Sequence, residues 1–404
     1  MIPSDIGHLR YSERDPAVGS SPIPWYLWCA AAAVTSAYIG GYWDISWHRS
    51  IGRDSFWSPP HIAIYACGVL AGLAAAYLIL TTTFSRTAPL RPVSVRIWGL
   101  WGPLGAFICA WGGVAMLASA PFDDWWHNAY GLDVKIISPP HMVLAAGFFG
   151  INLGAVMLML AFLNRAADVV PPLGRQGPRS GQARNLQRLF LYVGGMGVCE
   201  SLLLKMEYIS RSDMHSALFY IITAFGTVGI LTAIAVASEH RWACTIVTAV
   251  YTAFGVAFLW ILPLFPAEPR LGPVYTVVTH FIPWEFPLLL VVPAFVTDLI
   301  LQRTSSWRPL FRGAVTGLAF FATFFVVQWP FANFLMSPLA RNWFFGTTYQ
   351  DYGTPPTSLY ARFQFMPPEP PTQFWWGLAI AIATTCVMTY GGIHVGRAMQ
   401  RIRR

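Results

Sequence analysis

Apolar residues run along this chain in about ten blocks, roughly 23–47, 60–84, 97–119, 140–164, 187–206, 216–238, 242–265, 275–301, 310–335 and 374–396. A membrane-crossing helix needs about 20 predominantly apolar residues, because the hydrocarbon core is about 30 Å thick and each helical residue rises about 1.5 Å. The pattern therefore predicts an all-α, polytopic bundle of about ten transmembrane helices. Between the fourth and fifth blocks, residues 166–187 are rich in Pro, Gly and Arg and read as a flexible linker. That stretch divides the chain into a four-helix half, 1–165, and a six-helix half, 188–404. A second long interruption, about 336–373, holds seven prolines and many aromatics, and is expected to fold over the surface rather than act as a spacer.

Composition sharpens the picture. The 404 residues are 55% hydrophobic and only 11% charged, with a mean hydropathy of +0.49, far more apolar than a soluble domain. The first twenty residues carry Asp5, Arg10, Glu13, Arg14 and Asp15 instead of a short apolar core before a cleavage site, so the first block is expected to be a retained helix. With ten spans and a cytoplasmic N-terminus, the cytoplasmic segments would hold 18 of the 26 Lys and Arg. This is the asymmetry of the positive-inside rule, and it predicts an integral protein of a bacterial plasma membrane with both termini in the cytoplasm. The net charge of +8 follows from those arginines and suits anionic lipid. No soluble basic domain could reach a groove, so nucleic acid is not an expected partner. The six cysteines lie in or beside the blocks, without a CxxC pair, and read as small apolar residues.

Against this background one polar module appears twice. Asp44-Ile-Ser-Trp-His48 is followed by Gly52, Asp54 and Ser58-Pro59-Pro60-His61. About eighty residues later, Asp123-Asp124-Trp125-Trp126-His127 is followed by Gly131, Asp133 and Ser138-Pro139-Pro140-His141. On a helix, Asp44 and His48 lie one turn apart on one face, as do Asp123 (or Asp124) and His127. Proline suits the first turn of a helix, so each Pro-Pro-His sets a histidine at a helix entry facing back toward the preceding helix. One carboxylate and two imidazoles then converge, a donor set suited to copper, iron or zinc with open positions. A hydrogen-bonded polar hairpin that fixes helix packing is the competing reading. Burying Asp and His near hydrocarbon is costly unless each is paired or metallated, and the repetition favours metal.

Arg53 and Asp54 in the first module, with Asp133 and Lys135 in the second, lie between the ligands. They read either as solvated charges or as outer partners that orient imidazole nitrogens. Trp43, Trp47, Trp57, Trp125 and Trp126 read as interface anchors. Glu200, Glu207, Asp213 and His215, with His280 and Glu285, offer a third cluster that interhelical pairing explains equally well. HExxH, GxSxG and a phosphate-binding Gly-Lys-Ser/Thr loop are absent, which weighs against zinc protease, serine hydrolase and nucleotide-driven pump.

The first module, with Asp44, Ser46-Trp47-His48, Arg53-Asp54 and His61-Ile62, resembles the copper triad of the C-type subunit of membrane-bound copper monooxygenases, the particulate methane and ammonia monooxygenases. The second module reproduces the spacing of that family's neighbouring triad, with Asp123 where the family has Asn. The resemblance covers residues 40–150; the family subunit is shorter, with about six spans, and Tyr42 stands where it usually has an acidic residue. It implies copper at Asp44, His48 and His61, the catalytic set, and at Asp123, His127 and His141, with Arg53, Asp54 and Asp133 in outer roles. It further implies O₂ and a small apolar substrate, with an electron donor and other membrane subunits as partners. A copper-binding protein that delivers or transports the ion without oxidation is the alternative.

Overall fold

The computed structural model describes residues 23–52, 55–131, 136–168, 181–270, 278–348 and 369–403. These are almost wholly helical: α1 (Trp25–Ser50), α2 (Pro59–Phe84), α3 (Leu104–Tyr130), α4 (Pro139–Asp168), α5 (Gly181–Leu204), α6 (Ala217–Ala224), α7 (Thr227–Ser238), α8 (Ala243–Ile261), α9 (Val291–Arg303), α10 (Pro309–Leu335) and α11 (Pro371–Met399). Among the described residues, seven stretches are long and apolar enough to span a bilayer, eight if α5 and the turn bent 63° from it form one span, so the expected count of ten is not confirmed. The predicted block 216–238 is a pair of helices broken at Phe225-Gly226, where Gly226 takes φ of 76°.

Two predicted blocks differ more deeply. The helix expected from 97 begins only at Leu104, because β1 (Val95–Ile97) and β2 (Leu100–Gly102) form an antiparallel ribbon closed by Trp98-Gly99. Both turn residues have positive φ, 50° and 87°, the backbone that matches the twist of a tight hairpin. In the block 275–301, only Val291–Arg303 is helical. Residues 278–290 precede it without helix or strand, apart from an isolated bridge from His280 to Pro266. Pro283 and Pro287 explain the loss, since proline removes a backbone donor and clashes with a helix interior. The expected linker 166–187 also ends early, because α5 starts at Gly181; residues 169–180 lie outside those described, as does most of 336–373.

Helices α1 to α4 pack as two hairpins, α1 with α2 and α3 with α4, joined through α2 and α3. The second hairpin is the tighter: a Cβ on Gly112 would lie 2.7 Å from the Ile151 nitrogen, and one on Gly154 would lie 2.6 Å from the Gly105 carbonyl oxygen. Small residues permit this backbone-to-backbone approach where lipid offers no hydrophobic drive to associate. A single apolar core runs on from these hairpins through α5, α8 and α10.

The irregular segment 278–290 would expose bare backbone inside an apolar bundle, which membrane proteins tolerate only where protein satisfies it. Side chains do so here. Ser46 Oγ donates to the Ile282 carbonyl (2.7 Å) and Ser50 Oγ accepts from the Ile282 N–H (2.8 Å). Arg49 donates to the Pro283 carbonyl, while the hydroxyls of Tyr42 and Tyr251 accept from the N–H groups of Trp284 and Leu288. Gln328 of α10 accepts from Leu289. The C-terminal end of α1 is thereby tied to a segment more than 230 residues away.

Candidate metal site

The two modules fold alike. In each, the first helix ends just after Trp-His: the Ile51 N–H returns to the Trp47 carbonyl, and the Gly131 N–H to that of His127. The shared glycines Gly52 and Gly131 both leave the helix with positive φ, 95° and 87°, which a side chain would disfavour. Each second helix starts at Pro-Pro, and its first turn closes with Ile62 N–H to the Ser58 carbonyl or Met142 N–H to that of Ser138. The hydroxyls of Ser58 and Ser138 are buried in both copies and have no hydrogen-bond partner among the described residues.

In the first module, Asp44 lies between two imidazoles: His48 Nε2 is 3.7 Å from Oδ2 and His61 Nε2 is 3.3 Å from Oδ1. In the second, His127 Nε2 is 3.4 Å from Asp123 Oδ2 and His141 Nε2 is 3.5 Å from Oδ1. The carboxylate of the second module is thus identified as Asp123. Asp124 is engaged by Asn128, whose amide donates to its carbonyl at 2.8 Å and lies 3.3 Å from its side chain.

Donors sharing one metal at about 2.0–2.2 Å lie about 3–3.5 Å apart, so three of the four contacts fit as pairs and the His48 contact is long. The two imidazoles of each set address different oxygens, however. Among the described residues no group of three His, Cys, Asp or Glu is arranged to hold a metal ion. Closure around an ion requires each carboxylate to turn. Asp44 Oδ1 is buried and, among the described residues, takes no hydrogen bond, only the close approach of His61. The donor set fits copper in kind, with the three donors brought side by side but not yet joined at one point.

Both sets open on a single cavity of about 260 Å³, whose wall includes Asp44, His61, Tyr65, Asp123, His127 and His141. His48 lies outside that wall, with its side chain 38% exposed. Tyr65 donates to the Phe56 carbonyl (3.0 Å) and packs near His61, with ring centroids 6.0 Å apart. Tyr65 belongs to no repeated motif, and the one sequence signal for it is its place one helical turn after His61. Arg53, Asp54, Asp133 and Lys135 lie outside the described residues.

The third cluster does not assemble. Glu207 accepts from the Ile136 N–H, Asp213 from the Ser210 hydroxyl, and Glu285 pairs with Arg211. His215 faces the Trp329 carbonyl at 3.2 Å and stacks on its ring; burial pushes its imidazole below the ordinary range, opposed by that hydrogen bond. These are separate structural pairs, and Glu285–Arg211 holds the irregular segment.

No family model, curated protein or solved structure matches this chain.

Proposed function

We propose that this chain is a membrane-embedded, copper-binding oxidoreductase related to the membrane-bound copper monooxygenases, acting with O₂ on a small apolar molecule. The observation that carries this reading is that Asp44 and His61 of one hairpin and Asp123, His127 and His141 of the other line one partly open cavity at the end of an apolar bundle. Such a space has room for a small molecule beside both carboxylates. Asp44, His48 and His61 would hold the copper, which, when reduced by an external donor, would supply the chemistry of O₂ activation. The chain's own part is to hold and orient: the Pro-Pro turns fix His61 and His141, the one-turn spacing fixes His48 and His127, and Asp44 and Asp123 offset cationic charge. Soft thiolate and thioether ligands, which a Cu(I) conduit would favour, are absent from the cavity wall among the described residues. That weighs against a purely copper-handling role. The proposed orientation keeps both modules outside the cytoplasm, as the Lys and Arg distribution expects.

The test is metal analysis of the purified protein after copper loading, followed by O₂ uptake with a reductant and short hydrocarbons. Two copper equivalents, one lost in His61→Ala and the other in His141→Ala, with reductant-dependent O₂ uptake coupled to hydroxylated product, are expected. Copper binding without uptake would assign the chain to copper handling. No specific metal in the wild type would leave the modules as polar hairpins.

A further inference from the structure

At the ends of α1 and α5 remote from the modules lies an open groove of about 640 Å³. One wall is the α1 stripe Trp28, Ala31, Ala32 and Thr35; the other is the α5 stripe Asn185, Arg188, Leu189 and Tyr192. Both stripes have the i, i+3, i+4, i+7 spacing of a single helix face, so two faces confront each other along about 10 Å of axis. They meet at the deep end, where the hydroxyls of Thr35 and Tyr192 lie 2.6 Å apart. Toward the helix starts they part, and Ala31 and Ala32 leave the space that larger residues would fill.

The groove has a charged mouth and an apolar floor. Arg188 is exposed and makes only a 3.4 Å contact with Asn185; no carboxylate pairs with it among the described residues. Trp28 stands half exposed on the opposite lip. A guanidinium and an indole on the two lips of one groove, near the starts of two helices, form a setting in which a basic side chain can recognise an anionic headgroup. Leu189 and the alanines continue inward as a track for a hydrocarbon chain, which a free anion would not use.

We propose that this groove is a binding site for one anionic phospholipid, its phosphate on Arg188 and Asn185 and its first acyl methylenes against Ala32 and Leu189. The inference is independent of the metal sites. It is tested by native mass spectrometry and thermal unfolding of the full-length, delipidated protein after addition of phosphatidylglycerol, phosphatidylcholine or inorganic phosphate. The expected result is one phosphatidylglycerol retained about tenfold more strongly than phosphatidylcholine, since the hydrogen bonds to a charged partner are the strong ones. That preference should be lost in Arg188→Gln, lipid retention should fall in Ala32→Phe, which fills the groove, and Arg308→Gln, outside the groove, should bind as the wild type does. Equal retention of the two lipids, or unchanged retention in both groove variants, overturns the proposal. A stabilisation by inorganic phosphate equal to that by phosphatidylglycerol would do so too, leaving a soluble-anion site.

Discussion

Asp123 and Asp124 are adjacent, chemically identical and both at the cavity wall, yet only Asp123 reaches the two histidines. Copper titration of the Asp123→Ala protein should accordingly show one equivalent fewer, and Asp124→Ala should keep both. A loss in Asp124→Ala alone would reverse the assignment. The spacing of the module makes its donors legible in the sequence, because an i, i+4 pair and a Pro-Pro-His entry are local geometry. Spacing points to Asp123 through its match to Asp44, but does not show that the Asn128 amide engages Asp124. Nor does it reveal Arg211 with Glu285, which lie 74 residues apart and meet only through tertiary packing. That pair is largely buried, and removing one partner strands the other's charge. Glu285→Leu should cost about 3–5 kcal/mol of stability in detergent, and Arg211→Met with Glu285→Leu together should cost less than the sum of the single changes. Additive losses would show that the two residues act separately.

Among the elements, helix content is readable from the length of the apolar blocks, and the departures have a common cause. Hydropathy reports whether a segment is apolar, not whether its backbone can stay helical; Pro283, Pro287 and the Trp98-Gly99 turn override it locally. The packing of α3 on α4 rests on glycines instead. Gly112→Leu would drive a side chain into the backbone of α4 and should cost at least about 1–3 kcal/mol. Gly72→Ala in α2, where nothing lies within 4 Å of the new carbon, should be neutral or stabilise by about 0.5–1 kcal/mol. Denaturation midpoints of the two variants provide the comparison, and similar midpoints would remove the close-packing argument. Ser46→Ala with Ser50→Ala should leave the Ile282 backbone without its partners, at about 1–3 kcal/mol for each buried group. Hydrogen exchange over 281–290 should accelerate; unchanged exchange would mean that the serines do not hold the segment.

For the whole molecule, the proposed orientation puts the β1–β2 turn and the first module on opposite faces of the membrane. Trp98 and Trp57, 85% and 72% exposed, offer labelling positions: Trp98→Cys should react with a membrane-impermeant reagent from the cytoplasm and Trp57→Cys only from the other side. The reverse pattern would invert the protein. The two copies of the module also differ in how they are braced. The second stands on glycine contacts between helices adjacent in the chain and on Glu207, which accepts from the Ile136 N–H, whereas the end of the first is braced by Ile282, Pro283 and Trp284, and by the Arg270 N–H on the Ile51 carbonyl. Chains emerge from the ribosome N-terminus first, so the hairpin made earlier is the one completed later. During synthesis the 123–141 module is completed once Glu207 has been made, while the 44–61 module waits until Trp284. An arrested product ending between these two points would therefore present the second donor set before the first, so the order in which the two sets form is fixed by the position of a brace.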